Sequence, residues 1–112
     1  MPRRRPLSLP VLHILLALAD GPRHGYAIKQ DIESRTHGAI RLGPGTLYEA
    51  IQRLEAGGLI DEADAADPAN GQEAQRRYYR LTPRGWTALR ADVAQLGAIV
   101  DLARANPRLR KA

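Results

Sequence analysis

From Ser8 onward the apolar residues recur at helical spacing. Leu12, Leu15 and Leu16, together with Leu9 or Ala19, predict the buried stripe of a first helix. Ser8 stands as its N-cap, and Pro10 falls in the first turn, where a missing N–H costs nothing. Asp20-Gly21-Pro22 stops it. A second helix is predicted from about His24 to Thr36, with Ile28 and Ile32 on one face and His37-Gly38 at its end. Gly43-Pro44-Gly45 opens a third, whose Leu47, Ile51 and Leu54 sit at i, i+4, i+7 before Gly57-Gly58 ends it. Short helices joined by glycine turns read as a helix-turn-helix-type bundle.

After Gly58 the period changes. Leu59-Ile60 begins a short strand, and Arg77 to Thr82 is a second, with the turn chemistry of Asp67-Pro68-Ala69-Asn70-Gly71 between them, so the pair reads as a long-tipped hairpin. Tyr78 and Tyr79 point to opposite faces of the second strand, so only one is expected in the core. Thr82-Pro83 then forms an N-cap with proline at N1, starting a final helix that runs to about Ala105. Its stripe of Trp86, Leu89, Val93, Leu96, Val100 and Ala103 alternates three and four apart, a heptad-like seam. A helix this long cannot bury its whole stripe on so small a domain, which favours a homodimer over a helix folded back on its own core. The fold class is mainly α with a small β-hairpin.

Charge sharpens this picture. The net +5 is concentrated at the ends, on Arg3, Arg4 and Arg5 and on Arg104, Arg108, Arg110 and Lys111, so that the body between them carries −2. Basic tails suggest a polyanion, most often nucleic acid, although fifteen arginines beside eighteen alanines also fit the codon bias of a GC-rich genome. The absence of cysteine removes disulfide frameworks, cysteine zinc sites and thiol catalysis. Two serines, with no Ser/His/Asp ordering, P-loop or dinucleotide glycine motif, argue against an enzyme. His13, His24 and His37 lack metal-ligand spacing, so no metal or other cofactor is expected. The longest apolar run, Pro10 to Ala19, is half a membrane span, and no cleavable leader is apparent, so a cytoplasmic protein with no membrane partner is expected.

Three blocks occur in order: His24-Gly25-Tyr26-Ala27-Ile28-Lys29; Pro44-Gly45-Thr46-Leu47-Tyr48 with Arg53-Leu54-Glu55 and Gly58-Leu59-Ile60; and Arg77-Tyr78-Tyr79-Arg80-Leu81-Thr82 with Gly85. Over about residues 9–90 the chain resembles the PadR family of bacterial transcriptional regulators in its short form. The resemblance implies a winged helix-turn-helix over residues 7–82, a dimerisation helix over 83–106, and flexible basic tails at 1–6 and 107–112. It also implies a homodimer on double-stranded DNA, repression of a nearby promoter and, as in many members, release by a small-molecule effector. In that family the tyrosine corresponding to Tyr26 hydrogen-bonds the DNA backbone; a half-buried tyrosine capping the core is the alternative.

Projected at 100° per residue, the third helix turns Leu47, Ala50, Ile51 and Leu54 to one side. The other side carries Gly45, Glu49, Gln52, Arg53 and Ala56, with Thr46 and Tyr48 at the borders, and nothing there bars the helix from a major groove. Gln52 suits adenine and Arg53 suits guanine or a phosphate, while Glu49 suits cytosine N4 or is simply a solvated residue. Thr46 and the first amides suit phosphate, and Tyr48 turns its hydroxyl towards one. The predicted dimer contacts are the six residues of the last stripe.

Two features depart from the family pattern. The segment before the Tyr-Tyr strand reads Gly71-Gln72-Glu73-Ala74-Gln75-Arg76-Arg77, an acidic tip that moves the expected wing contact to Arg76 and Arg77. Leu96 stands where drug-binding relatives carry a stacking tryptophan, which argues against a flat aromatic ligand sandwiched there. Arg3, Arg4 and Arg5 are expected to add sequence-independent grip. The competing reading is a winged helix used as a protein-interaction module with little specific DNA binding.

Overall fold

Local capping chemistry sets most of the element starts. The structure is a computed structural model that describes residues 6–63 and 77–110; Arg3, Arg4, Arg5, Arg76 and the acidic wing segment lie outside the described residues. In α1 (Leu9–Leu18) the Ser8 hydroxyl accepts the Val11 N–H at 3.4 Å, with proline in the first turn. In α2 (Gly25–Arg35) the cap is a ring: His24 Nδ1 accepts the Ala27 N–H at 3.2 Å. Helix α3 (Pro44–Ala56) begins on Pro44 after Gly43, which supplies no side-chain cap. For α4 (Pro83–Arg104) the Thr82 hydroxyl accepts the Gly85 N–H at 3.0 Å and donates to the Gly58 carbonyl at 2.6 Å, tying the end of α3 to the start of α4. Pro107–Arg110 adds a short helix, α5, after Asn106.

The hairpin expected from the sequence is part of a larger sheet. Strands β2 (Ile60–Ala63) and β3 (Tyr78–Leu81) pair antiparallel, and β1 (Arg23–His24) adds to the other edge of β3, giving the order β1-β3-β2. This makes β3 central, and both of its tyrosines are buried, Tyr78 at 7% and Tyr79 at 3% exposure, against the expectation of one. Alternation still holds. Tyr79 and Leu81 face the main core, while Tyr78 faces the opposite way, where its cross-strand neighbour His24 meets it edge-to-face at 5.4 Å.

The core lies between the three short helices, β3 and the start of α4. Ile14, Leu15, Leu18, Ile28, Ile32, Leu47, Ile51 and Ile60 are its most deeply buried large side chains. Helix α1 buries more than one stripe, because α2, β3 and α4 all pack against it; Ile14, Ala17 and Leu18 join Leu12 and Leu15, whereas Leu9 is 56% exposed. Burial in α4 is confined to Gly85, Ala88, Leu89 and Asp92. Gly85 is held against the backbone of Leu59, where any Cβ would run into the Leu59 carbonyl oxygen. From Val93 to Arg104 every residue is exposed except Ala103, which is half-buried.

Candidate nucleic-acid interface

Helix α3 has the most sharply two-sided surface. Leu47, Ile51 and Leu54 are buried at 5% exposure or less, which fixes the rotation of the helix. Gly45, Thr46, Tyr48, Glu49, Gln52 and Arg53 are all exposed, and Ala50 is partly buried. The amides of the first turn have no side-chain acceptor at Gly43, so the positive end of α3 is open. Among the described residues Arg53 takes part in no ion pair.

The two tyrosines sit at the corner where α2 and α3 meet. Tyr48 lays its ring against Gly25, so closely that a Cβ there would lie 2.9 Å from the phenol oxygen, yet the side chain stays 48% exposed. Tyr26, the next residue of α2, is 55% exposed and takes no part in the core. Both tyrosines thus present part of their rings to solvent at this corner.

The sheet side is electrostatically different. Asp61 and Arg80 are direct cross-strand partners and pair at 2.9 Å between Nε and Oδ1. Arg77, at the base of the wing, pairs with Glu62 at 3.4 Å. Beneath them burial pushes the Tyr79 phenol up from its ordinary pKa, with the Glu55 and Glu62 carboxylates adding to the rise and Arg77 opposing it.

The stripe of α4 divides in two. Leu89 is 4% exposed and belongs to the chain's own core, with Trp86 packed against it under the guanidinium of Arg90 at 5.5 Å. Both were expected at the dimer contact; Leu89 has no surface left to offer, because the start of α4 packs on α1 and β3. Val93, Leu96 and Val100 are 38–45% exposed, and Ala103 is half-buried. Ile99 and Leu102, which the stripe did not include, are 55% and 74% exposed and widen this apolar surface. It continues through a groove of about 210 Å³ between Leu9 and Leu12 of α1 and Leu96 and Ile99 of α4. At the floor of that groove the buried Asp92 carboxylate accepts the Leu7 N–H at 2.8 Å, tying the segment before α1 to α4.

Sequence reasoning also passed over Arg41, an exposed residue in the turn between α2 and α3. Its signal was an absence: no carboxylate occurs between Glu33 and Glu49. Among the described residues no group of three His, Asp or Glu side chains is arranged to hold a metal ion, and no helix is long and apolar enough to cross a membrane.

Comparison with known proteins agrees with this geometry. The model of the transcriptional regulator PadR-like family matches residues 14–91. The chain is 43% identical over 82 residues to the transcriptional regulator Rv3488 of Mycobacterium tuberculosis, a match covering 72% of this chain and 69% of that one. It is 44% identical over 72 residues to an uncharacterized 37.1 kDa protein in transposon TN4556 of Streptomyces fradiae, covering 64% of this chain but only 18% of that longer protein. A PadR family transcription regulator from Clostridium difficile has the same fold, with a TM-score of 0.72 at 24% identity over 88% of this chain and 97% of that one.

Proposed function

The chain belongs to the PadR-like family of DNA-binding transcriptional regulators, and we propose that it is a repressor that reads a pseudo-palindromic operator as a homodimer, with α3 as the recognition helix. The observation that carries this reading is the outward face of α3, where Gly45, Thr46, Glu49, Gln52 and Arg53 are exposed above a buried apolar face. Nothing on that face is bulky, so the helix fits a major groove about 12 Å wide. In this reading Gln52 and Arg53 meet base edges and Glu49 accepts from cytosine. Thr46, Tyr48, Tyr26 and the amide of Gly45 hold phosphates. Arg76 and Arg77 approach the backbone from the wing, and Arg3, Arg4 and Arg5 add grip that does not depend on sequence.

The homodimer is supported by the second half of α4, whose Val93, Leu96, Ile99, Val100 and Leu102 are 38–74% exposed among the described residues. The dimerisation unit is thus drawn from Val93 onward, with the preceding part of α4 belonging to the reader. Two-fold symmetry spaces the half-sites by about one helical turn, ~10 bp, or a multiple. An effector that releases DNA is part of the proposal, with the α1–α4 groove as one apolar recess that could take it; Leu96, in place of a stacking tryptophan, disfavours flat aromatic sandwiching.

The deciding experiment measures binding of the full chain to its own upstream DNA and to scrambled duplexes across a salt series. Specific binding whose log K falls steeply with log salt is expected. Gln52→Ala should relax sequence preference, and Arg76→Ala with Arg77→Ala should weaken all duplexes. Equal, weak binding to every duplex would instead indicate an interaction module.

A further inference from the structure

We propose that Arg41, in the turn between α2 and α3, is a sequence-independent anchor for a DNA phosphate beside the start of α3. The inference rests on α3 being the recognition helix.

The first support is the state of its charge. Arg23, Lys29, Arg35, Arg77 and Arg80 each lie within 4 Å of a carboxylate, with distances of 3.9, 3.0, 3.0, 3.4 and 2.9 Å to Asp20, Glu33, Asp31, Glu62 and Asp61. Arg41 pairs with none among the described residues. Glu33 lines the same open concavity, of about 400 Å³, but is engaged by Lys29 at 3.0 Å. A cation without a local partner loses less on meeting a phosphate, because no existing ion pair has to be broken first.

The second support is the shape of the turn. His37 and Gly38 both adopt positive φ, +52° and +80°, and the Arg41 guanidinium lies against Gly38, where a Cβ would stand 3.1 Å from Nη2. The Nε–Nη2 edge rests on a side-chain-free surface while Arg41 as a whole stays exposed, and a guanidinium is a planar fork that suits a phosphate bidentately. Leu42, 8% exposed, anchors the turn in the core immediately after Arg41, and α3 begins at Pro44. A duplex that takes α3 into its major groove must carry its backbone past this point.

The third support is that the amides around Gly38, against which the guanidinium rests, are already engaged. The N–H groups of His37, Gly38 and Ala39 go to the carbonyls of Ser34, Glu33 and Thr36 at 3.2, 2.8 and 3.0 Å, and that of Ile40 goes to the Thr36 hydroxyl at 3.1 Å. A phosphate held beside Gly38 therefore draws on side chains there, and Arg41 is the one lysine or arginine among the described residues that line the concavity.

The test compares Arg41→Ala, Arg41→Lys and Arg35→Ala in the full chain, titrating cognate and scrambled duplexes from about 50 to 200 mM salt. Arg35 is a matched control, as an exposed arginine of the same region engaged by Asp20 and Asp31. Arg41→Ala should weaken both duplexes by about tenfold and lower the log–log salt slope by about one per bound protomer. Arg41→Lys should retain most of the slope, and Arg35→Ala should leave it unchanged. An unaltered slope in Arg41→Ala, or an equal loss in Arg35→Ala, overturns the assignment while leaving the reading of α3 intact. If the wild type shows no preference between duplexes, the reading of α3 fails and takes this inference with it. Melting curves on each variant separate lost contacts from lost fold.

Discussion

The outer face of α3 and the β2–β3 sheet both display arginines to solvent, but in different electrostatic states. Arg53 stands on α3 with no carboxylate engaged among the described residues, while Arg77 and Arg80 on the sheet are held by Glu62 and Asp61. Strand pairing causes the difference, since antiparallel register sets Asp61 directly opposite Arg80, whereas the helix leaves Arg53 pointing outward alone. The number of basic residues on a surface is therefore a poor measure of its appetite for phosphate; what matters is how many must first release a carboxylate. On the proposed reading, α3 and the turn before it would meet phosphate directly, and the wing base would have to exchange partners.

The largest effect should come from breaking the frame that both faces share. Gly85→Ala drives a Cβ into the Leu59 carbonyl where β2, β3 and α4 meet, and should cost about 3 kcal/mol or prevent folding, read by thermal or urea unfolding. Next, Arg53→Ala should cost about 1–3 kcal/mol on the cognate duplex and much less on a scrambled one, measured by competitive titration. His24 joins the two faces, capping α2 through Nδ1 and packing on Tyr78 of β3. His24→Ala should lower stability by about 1 kcal/mol, and His24→Asn should recover the cap but not the ring contact.

Smaller effects bear on the sheet. Glu62→Gln releases Arg77 and should tighten binding to any duplex by a few-fold at low salt, about 0.5–1 kcal/mol; this gain should vanish in an Arg77→Ala background. Finally, the raised Tyr79 pKa makes stability depend on alkaline pH. The neutral phenol is favoured in the folded chain, so its contribution is complete below the unfolded value near 10 and is lost as pH rises towards the higher folded value. Tyr79→Phe should remove that alkaline loss in melting curves taken above pH 10.

Much of the fold was legible because local chemistry wrote it. Ser8, Thr82-Pro83 and Gly43-Pro44 announce three helix starts by the groups they offer or lack, and the i, i+4, i+7 leucines and isoleucine of α3 fix which face is free. Other features depended on distant partners and left no local mark. Strand β1 has two residues, too short for any period, and without it the burial of Tyr78 was unreadable. The heptad-like stripe of α4 looks uniform in sequence, so nothing in it revealed that Leu89 would enter the core and Val93 would not. The pairing of Arg77 and Arg80 depends on the register between strands separated by a long loop, while Arg41 was distinguishable only through the acid-free stretch between Glu33 and Glu49, and Arg53, with Glu49 four residues before it, carried no such mark.

Helix α4 runs without interruption from the buried Asp92 into its exposed half. In a dimer built on that half, the helix works as a ruler. Its rigidity sets both the distance and the rotation between the two α3 helices, much as a machined shaft sets the phase of two gears. Inserting one residue after Asp92 would turn everything beyond it by about 100° and advance it by about 1.5 Å, changing which operator spacing such a dimer would fit while leaving the outer face of α3 untouched.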